Sequence, residues 1–383
     1  MNKTLPIFHM FACFLLFVTT IQAQDIEITV ENVRNLEVLY TFKTEPTVVG
    51  DILFNYDDTL IATHHIGSDI IQLRASEDGK LVQELIAERA FGDVVMGRTY
   101  NFGVTFAPFD EGKEIVVWDL TQMSPSQQIV LPEEGVMFDL QLSYDDTTIL
   151  LSGCYKSRRC GIMIWDISTE DYNKIELPEG HAILGYSISP DGRTLAILHR
   201  SEEGNEISLW DTSEYQRLKS IPLEKNVSYI TYSIDSNKII SAYNNILSGI
   251  IWDIQSDEIE PLSDLYYTEF VSAGYIFLIP KIIDDIAYAV RIDTDEIIAP
   301  IPFLKAGDST FNTEVPLSFS PDGSIYVNAS VINGKNLVLF GLGNDEVWFK
   351  QNVFKSAFSN NGHLFVTYNL LDGEFSVMGV RDS

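Results

Sequence analysis

The chain has 383 residues, an apolar fraction of 45% and a formal charge of −30 from 25 basic and 55 acidic side chains. Length and composition are those of an ordinary globular protein with ample material for a core. So acidic a surface repels phosphate backbones, which argues against nucleic acid as a partner and favours basic partners or plain solubility.

Residues 1–23 stand apart. Lys3, an apolar run from Leu5 to Val18, and Ala23 before Gln24 have the layout of a secretory signal peptide. The run is shorter than the roughly 20 residues of a membrane span, and no cysteine follows it as a lipid anchor point. The expectation is an exported mature chain, 24–383, secreted or held in the periplasm or at the cell surface, with no span once the signal is gone. Cys13 lies within the signal. Cys154 and Cys160 remain, an even pair flanking five residues between two strand-like runs. In an oxidising compartment they are expected to form a disulfide at the mouth of a hairpin, contributing about 2 kcal/mol for so short a loop. The alternative is two buried thiols.

Two strand-like pieces come next, Ile26–Val30 and Leu36–Phe42. The second has the pattern of an outer strand with no sheet before it. Units of similar layout then follow. The first runs from Asp51 through the turn Tyr56-Asp57-Asp58-Thr59, strands Leu60–Thr63 and Ile70–Leu73, and an outer strand Leu81–Ile86. The second ends at Trp118-Asp119. The third has the turn Tyr144-Asp145-Asp146-Thr147 and ends at Trp165-Asp166.

The fourth unit is the fullest. It reads Gly180-His181, a strand Ile183–Ile188, the turn Ser189-Pro190-Asp191-Gly192, a strand Thr194–Leu198, and the ending Trp210-Asp211. Pro190 presets φ for the turn and Gly192 accepts positive φ at its exit. Leu195-Ala196-Ile197-Leu198 is a short unbroken apolar run, as suits a strand covered on both faces. The fifth unit ends at Trp252-Asp253, and the sixth is the weakest. The seventh carries Ser320-Pro321-Asp322-Gly323, with Phe340-Gly341 in place of Trp-Asp. The eighth carries Ser359-Asn360-Asn361-Gly362 and stops three strands in, after Phe375–Met378.

The four Trp-Asp pairs follow one another at 47, 45 and 42 residues, near the period of about 40–45 in WD40 repeats. On these residues the chain resembles the WD40-repeat family from about Ile26 to Val380. The resemblance implies an all-β propeller of four-stranded antiparallel blades, eight by this count and seven as the alternative. It also implies that Leu36–Phe42 completes the last blade beside Phe375–Met378, which removes two sheet edges. In that family a His, a Ser or Thr of the second strand, an Asp and the Trp form a buried polar chain. Here Trp118, Asp119, Trp165, Asp166, Trp210, Asp211, Trp252 and Asp253 are the structural repeat positions. Only the fourth unit offers both His181 and Trp210, and its loop Ser201-Glu202-Glu203-Gly204-Asn205 has no Asp, so the chain of polar groups is expected to be incomplete everywhere. The family's usual role is a rigid, non-catalytic platform for protein or peptide partners.

No strong catalytic motif accompanies the repeats. Gly-x-Ser-x-Gly, His-Glu-x-x-His, phosphate-loop and Asp-x-Asp-x-Asp-Gly patterns are absent from the sequence. No catalytic residue, cofactor or metal is therefore expected. His64 and His65 are adjacent and would point to opposite faces of a strand. The doublets Asp57-Asp58 and Asp145-Asp146 sit at turns, where Asp caps its own backbone; Asp284-Asp285 is a third doublet. Two clusters are candidate partner contacts: Lys156, Arg158 and Arg159, three cations in four residues, and Tyr266 with Tyr267 between the fifth and sixth units. A solvated hairpin tip and strand packing explain them equally simply.

Two other readings remain. One is a propeller enzyme of the quinoprotein-dehydrogenase kind, suggested by Glu77-Asp78-Gly79-Lys80-Leu81, a run that occurs once. The other is a glycan-binding or lyase propeller.

Overall fold

In a computed structural model of the chain, residues 26–380 are described apart from 30–31, 45–46, 87–92, 108–113, 131–134, 156–158, 224–226, 234, 244–247, 264–270, 274–275, 284–285, 292–296, 306–317, 322–324, 330–336, 342–347 and 351–352. They form eight four-stranded antiparallel sheets. Seven are meanders of consecutive strands. The first sheet is Val49–Phe54, Leu60–His65, Ile70–Ala75 and Leu81–Ile86; the second is Asp93–Met96, Phe102–Ala107, Glu114–Asp119 and Ser124–Val130. The third is Gly135–Leu142, Thr148–Tyr155, Cys160–Asp166 and Tyr172–Glu176; the fourth is Ala182–Ile188, Thr194–Ser201, Gly204–Asp211 and Arg217–Leu223. The fifth to seventh begin at Val227, Val271 and Ser318.

The eighth sheet joins the two ends of the chain. Val353–Phe358, Phe365–Asn369 and Glu374–Val380 are followed, in space, by Leu36–Lys43. Leu36 pairs with Val380, Val38 with Met378 and Phe42 with Phe375, and the Phe42 and Phe375 rings stack at 4.7 Å. The expected pairing of Leu36–Phe42 with Phe375–Met378 is thus present. The strand expected at Ile26–Val30 is not. Among its described residues Ile28 N donates to Gly362 O, while Asn32 folds back, its Oδ1 accepting from Thr29 N and its Nδ2 donating to Glu27 O. Those local bonds take the groups a ladder would need.

The core lies between sheets rather than inside any one of them. Alternate residues of a strand face opposite sides, so a middle strand serves two interfaces. Ala196 and Leu198 pack with Ile230, Tyr232 and Trp252 of the fifth sheet; Leu195 and Ile197 pack with Leu150 and Ile162 of the third. This is why that run reads as unbroken apolar sequence. The second and third sheets share Phe106, Ile115, Leu140 and Met163. The eighth and first share Phe54, Ile61, Tyr368 and Val377.

The turns between first and second strands repeat one hydrogen-bond pattern. In the first, third, fourth and eighth sheets a Ser or Asn opens the turn and accepts from the amide five residues on: Leu60 N donates to Asn55 Oδ1, Thr148 N to Ser143 Oγ, Thr194 N to Ser189 Oγ and Leu364 N to Ser359 Oγ. Two residues after the opening, Asp57, Asp145, Asp191, Asp235 or Asn361 accepts from the amide two residues further. The next position has positive φ, and is Asp58, Asp146, Gly192, Ser236 or Gly362.

Candidate functional site

In six sheets the first strand carries a residue four positions ahead of its turn: Asp51, Asp93, Asp139, Gly185, Tyr229 and, in the eighth sheet, Lys355. Their ladder registers agree, with Ile52, Val94, Leu140, Tyr186, Ile230 and Ser356 one step on and paired to Thr63, Thr105, Leu151, Ile197, Ser241 and Thr367. A bulge just before the position re-aims the strand in the first, third, fourth, fifth and eighth sheets. First strands of neighbouring sheets touch, the eighth with the first, the first with the second and the second with the third. Lys355, Asp51, Asp93 and Asp139 therefore form a row along one wall.

The row is graded in charge. Lys355 Nζ donates to Gly50 O and lies 3.3 Å from Asp51 Oδ1; His64 Nδ1 is 3.8 Å from Asp51 Oδ2. Burial works against the Asp51 carboxylate, but the contacts from His64 and Lys355 outweigh it and hold its pKa below the ordinary value. Asp93 is the reverse case. Burial, and then the Asp139 charge, push it up to about 6, although Leu140 N and Val94 N donate to it. Asp139 is raised too, by burial first, against a hydrogen bond from Gln141 Nε2. Tyr186 OH donates to Asp139 O at 3.0 Å, and burial followed by the Asp139 charge holds its proton firmly.

Beside this pair opens a cleft of about 430 Å³, whose wall includes Asp139, Tyr144, Leu184, Tyr186, Ile230 and Arg98. The Arg98 guanidinium stacks over the Tyr144 ring at 4.6 Å. The arrangement offers carboxyl oxygens beside apolar and aromatic surface, suited to a cationic side chain with an aliphatic stem.

The structure places the repeat residues as follows. Asp119, Asp166, Asp211 and Asp253 all cap the turn that follows them, each Oδ1 accepting two backbone amides, as in Asp211 from Ser213 N and Glu214 N. Trp118 Nε1 donates to Thr105 Oγ1 on the second strand at 3.0 Å. Trp165 stacks on Tyr172 and Trp252 is wholly buried, and among the described residues neither indole N–H has a hydrogen-bond acceptor.

In the fourth sheet the expected chain lacks its Asp, and a different polar chain links His181 to Trp210. His181 Nδ1 meets His199 Nδ1 at 3.0 Å, His199 Nε2 meets Ser208 Oγ at 3.0 Å, and Trp210 Nε1 donates to the same oxygen at 2.9 Å. His199, two residues past the register position that Thr105 holds in the second sheet, links His181 to Ser208 of the third strand. Burial, and then the neighbouring His181, lower the His199 pKa to about 4.

Cys154 and Cys160 are directly opposite in the ladder and joined as a disulfide. Of the cationic cluster, Arg159 lies 3.6 Å from Glu176, which Lys174 also holds at 2.6 Å; Lys156 and Arg158, like Tyr266, Tyr267 and Asp284-Asp285, lie outside the described residues. His64 is buried against Asp51, while His65 meets Thr47 Oγ1 at 2.6 Å. Among the described residues no three His, Cys, Asp or Glu side chains are grouped to hold a metal ion.

The doublets need a correction. Asp57 and Asp145 cap their own turns, as expected. Asp58 and Asp146 do not: they reach the neighbouring sheet. Asp58 accepts from Asn360 N, Asn360 Nδ2 and Asn361 N at 2.8–2.9 Å, and Asp146 from Arg98 N, Thr99 N and Thr99 Oγ1.

Among solved structures, the β-propeller domain of Cps50 (Swd1) from Myceliophteria thermophila is similar with a TM-score of 0.55 at 9% identity, over 90% of this chain and all of that one. The fold is a β-propeller. No protein-family model matches the chain, and no curated protein sequence matches it. The acidic row was missed in the sequence because single Asp residues in apolar strands carry no motif; their shared distance from the turn was the available signal.

Proposed function

We propose that the protein is an exported, non-catalytic interaction platform of the WD40-like kind, and that its partner is a protein or peptide with a basic segment. In this reading the eight sheets are the blades of one ring, closed in the last blade by Leu36–Lys43. Support for the ring comes from the contacts that pass from the eighth sheet to the first through Asp58, Lys355 and a shared apolar cluster.

The observation that carries the role is the row Asp51, Asp93 and Asp139 beside the Arg98–Tyr186 cleft. Two carboxyls there are desolvated against each other with no cation of the described residues paired to them, whereas Asp51 has Lys355. A partner's lysine or arginine would relieve that repulsion and gain a charge-assisted hydrogen bond. The test is selection from a random peptide library displayed against the mature chain. Lys- and Arg-bearing peptides should be enriched, and the Asp93→Asn/Asp139→Asn double variant should bind them about tenfold more weakly. Equal binding by the folded double variant would refute the reading.

A further inference from the structure

At four junctions a side chain of one turn bridges to the turn of the sheet before it. From the first sheet to the eighth the bridge is Asp58, and from the third to the second it is Asp146. From the second to the first it is Asn101, whose Nδ2 donates to Asp57 Oδ2 at 2.6 Å and whose Oδ1 accepts from Asn55 Nδ2 at 2.9 Å. From the fifth to the fourth it is Ser236, whose Oγ accepts from Asp191 N at 3.1 Å.

The chemistry of each bridge follows what it faces. The carboxylates of Asp58 and Asp146 stand opposite Asn360-Asn361 and Arg98-Thr99, which bear no acid. Opposite Asp57 and Asp191, which are acids, stand a neutral amide and a neutral hydroxyl. Two carboxylates in one partly desolvated crevice would repel.

The junction of the fourth sheet with the third breaks the series. Its bridging position is Gly192, with φ +72° and open space to 4 Å where a Cβ would stand. The turn it faces carries an acid, Asp145. Between the two lies a cleft of about 410 Å³, bordered by Asp145, Thr148, Asp191, Arg193, Thr212 and Ser213, a volume ordinary for small-ligand sites of roughly 300–1,000 Å³.

We propose that this cleft binds a neutral polyhydroxyl ligand, a sugar ring or a comparable polyol, one hydroxyl of which takes the place that Ser236 Oγ holds at the next junction. A hydroxyl both donates and accepts. It suits a wall of carboxylates, Asp145, Asp191 and Asp211, each with its Oδ1 held by its own turn, set beside Thr148, the Arg193 guanidinium and Ser213, whose Oγ donates to Asp211 Oδ1. The three carboxylates disfavour an anion, and the polar wall disfavours an apolar molecule. This site needs only the fold, and it stands whether or not the acidic row receives a basic peptide.

The experiment titrates the mature chain with D-glucose, D-mannose, D-galactose and myo-inositol, following backbone amide shifts, with sodium acetate as the anion control. At least one polyol should give saturable shifts at Thr148, Gly192 and Ser213, and acetate should give none. Gly192→Ser places in the cleft the residue type found at 236, where φ is also positive, so the chain should fold and its affinity should fall about tenfold or more. Thr148→Val, which leaves the turn backbone untouched, should weaken binding as well. The proposal is overturned if no polyol saturates, if acetate binds in preference, or if folded Gly192→Ser and Thr148→Val bind as the parent does.

Discussion

Asp93 sits where burial and a second carboxyl oppose its ionisation. Its folded pKa of about 6 lies above the ordinary 3.8, so the folded chain keeps a proton that the unfolded chain has released between those values. The stability this contributes is complete below about pH 4 and lost as pH rises through about 6. Asp93→Asn should remove that slope and stabilise the chain at neutral pH by on the order of 2 kcal/mol, measured by urea denaturation across that range. His199 titrates in the opposite sense. Its pKa is lowered to about 4, so the stability from its neutral form is present above about 6.5 and lost as pH falls through about 4. At Trp118 the question is a single hydrogen bond. Thr105→Val leaves the indole N–H buried without an acceptor and should cost roughly 1–3 kcal/mol in the same measurement. The Trp and the Thr were both readable in the sequence; which indoles find acceptors was not, because strand register decides it.

The recurrent turn explains why Asp occurs at positive φ. An acid in the left-handed region costs backbone energy, and at Asp58 three hydrogen bonds to the eighth sheet offset it. Asp58→Ala keeps the strained backbone and loses the bonds, so it should lower stability by roughly 3 kcal/mol. Asp58→Gly, which relieves the backbone, should cost less. Denaturation curves of the two variants distinguish clasp from strain: equal losses would mean that the backbone conformation is irrelevant. The hairpin Thr148–Asp166 has a second kind of tie. Replacing Cys154 and Cys160 by serine should lower stability by about 2 kcal/mol, read from the same curves. Turn, hairpin and cysteine pair were all legible as local patterns. That the second Asp of a doublet serves a neighbour was not, since Asp57 and Asp58 look alike in sequence.

Across the whole molecule, sheets that are each incomplete as folding units cover one another's faces. The eighth sheet depends on a strand more than three hundred residues away. A chain lacking residues through Lys43 would expose Glu374–Val380 as a bare, largely buried-type edge. It should elute as aggregate in size-exclusion chromatography, and adding back a peptide of residues 32–46 should restore some monomer. Monomeric elution of the truncated chain with an unchanged melting temperature would contradict the role given to that strand.

Local chemistry written into the sequence determined the units, their turns, the Trp-Asp endings and the cysteine pair, because each depends on residues within a few positions of one another. It also made the terminal pairing inferable, since a lone outer strand and a three-stranded unit complete one sheet. Only the tertiary structure decided which side chains meet between units. His199 joins the polar chain, Asp58 and Asp146 reach across, Asp93 and Asp139 are set against each other, and Gly192 leaves a gap where four other junctions are bridged. These depend on sheet-to-sheet placement, which apolar packing sets and which no spacing along the chain encodes.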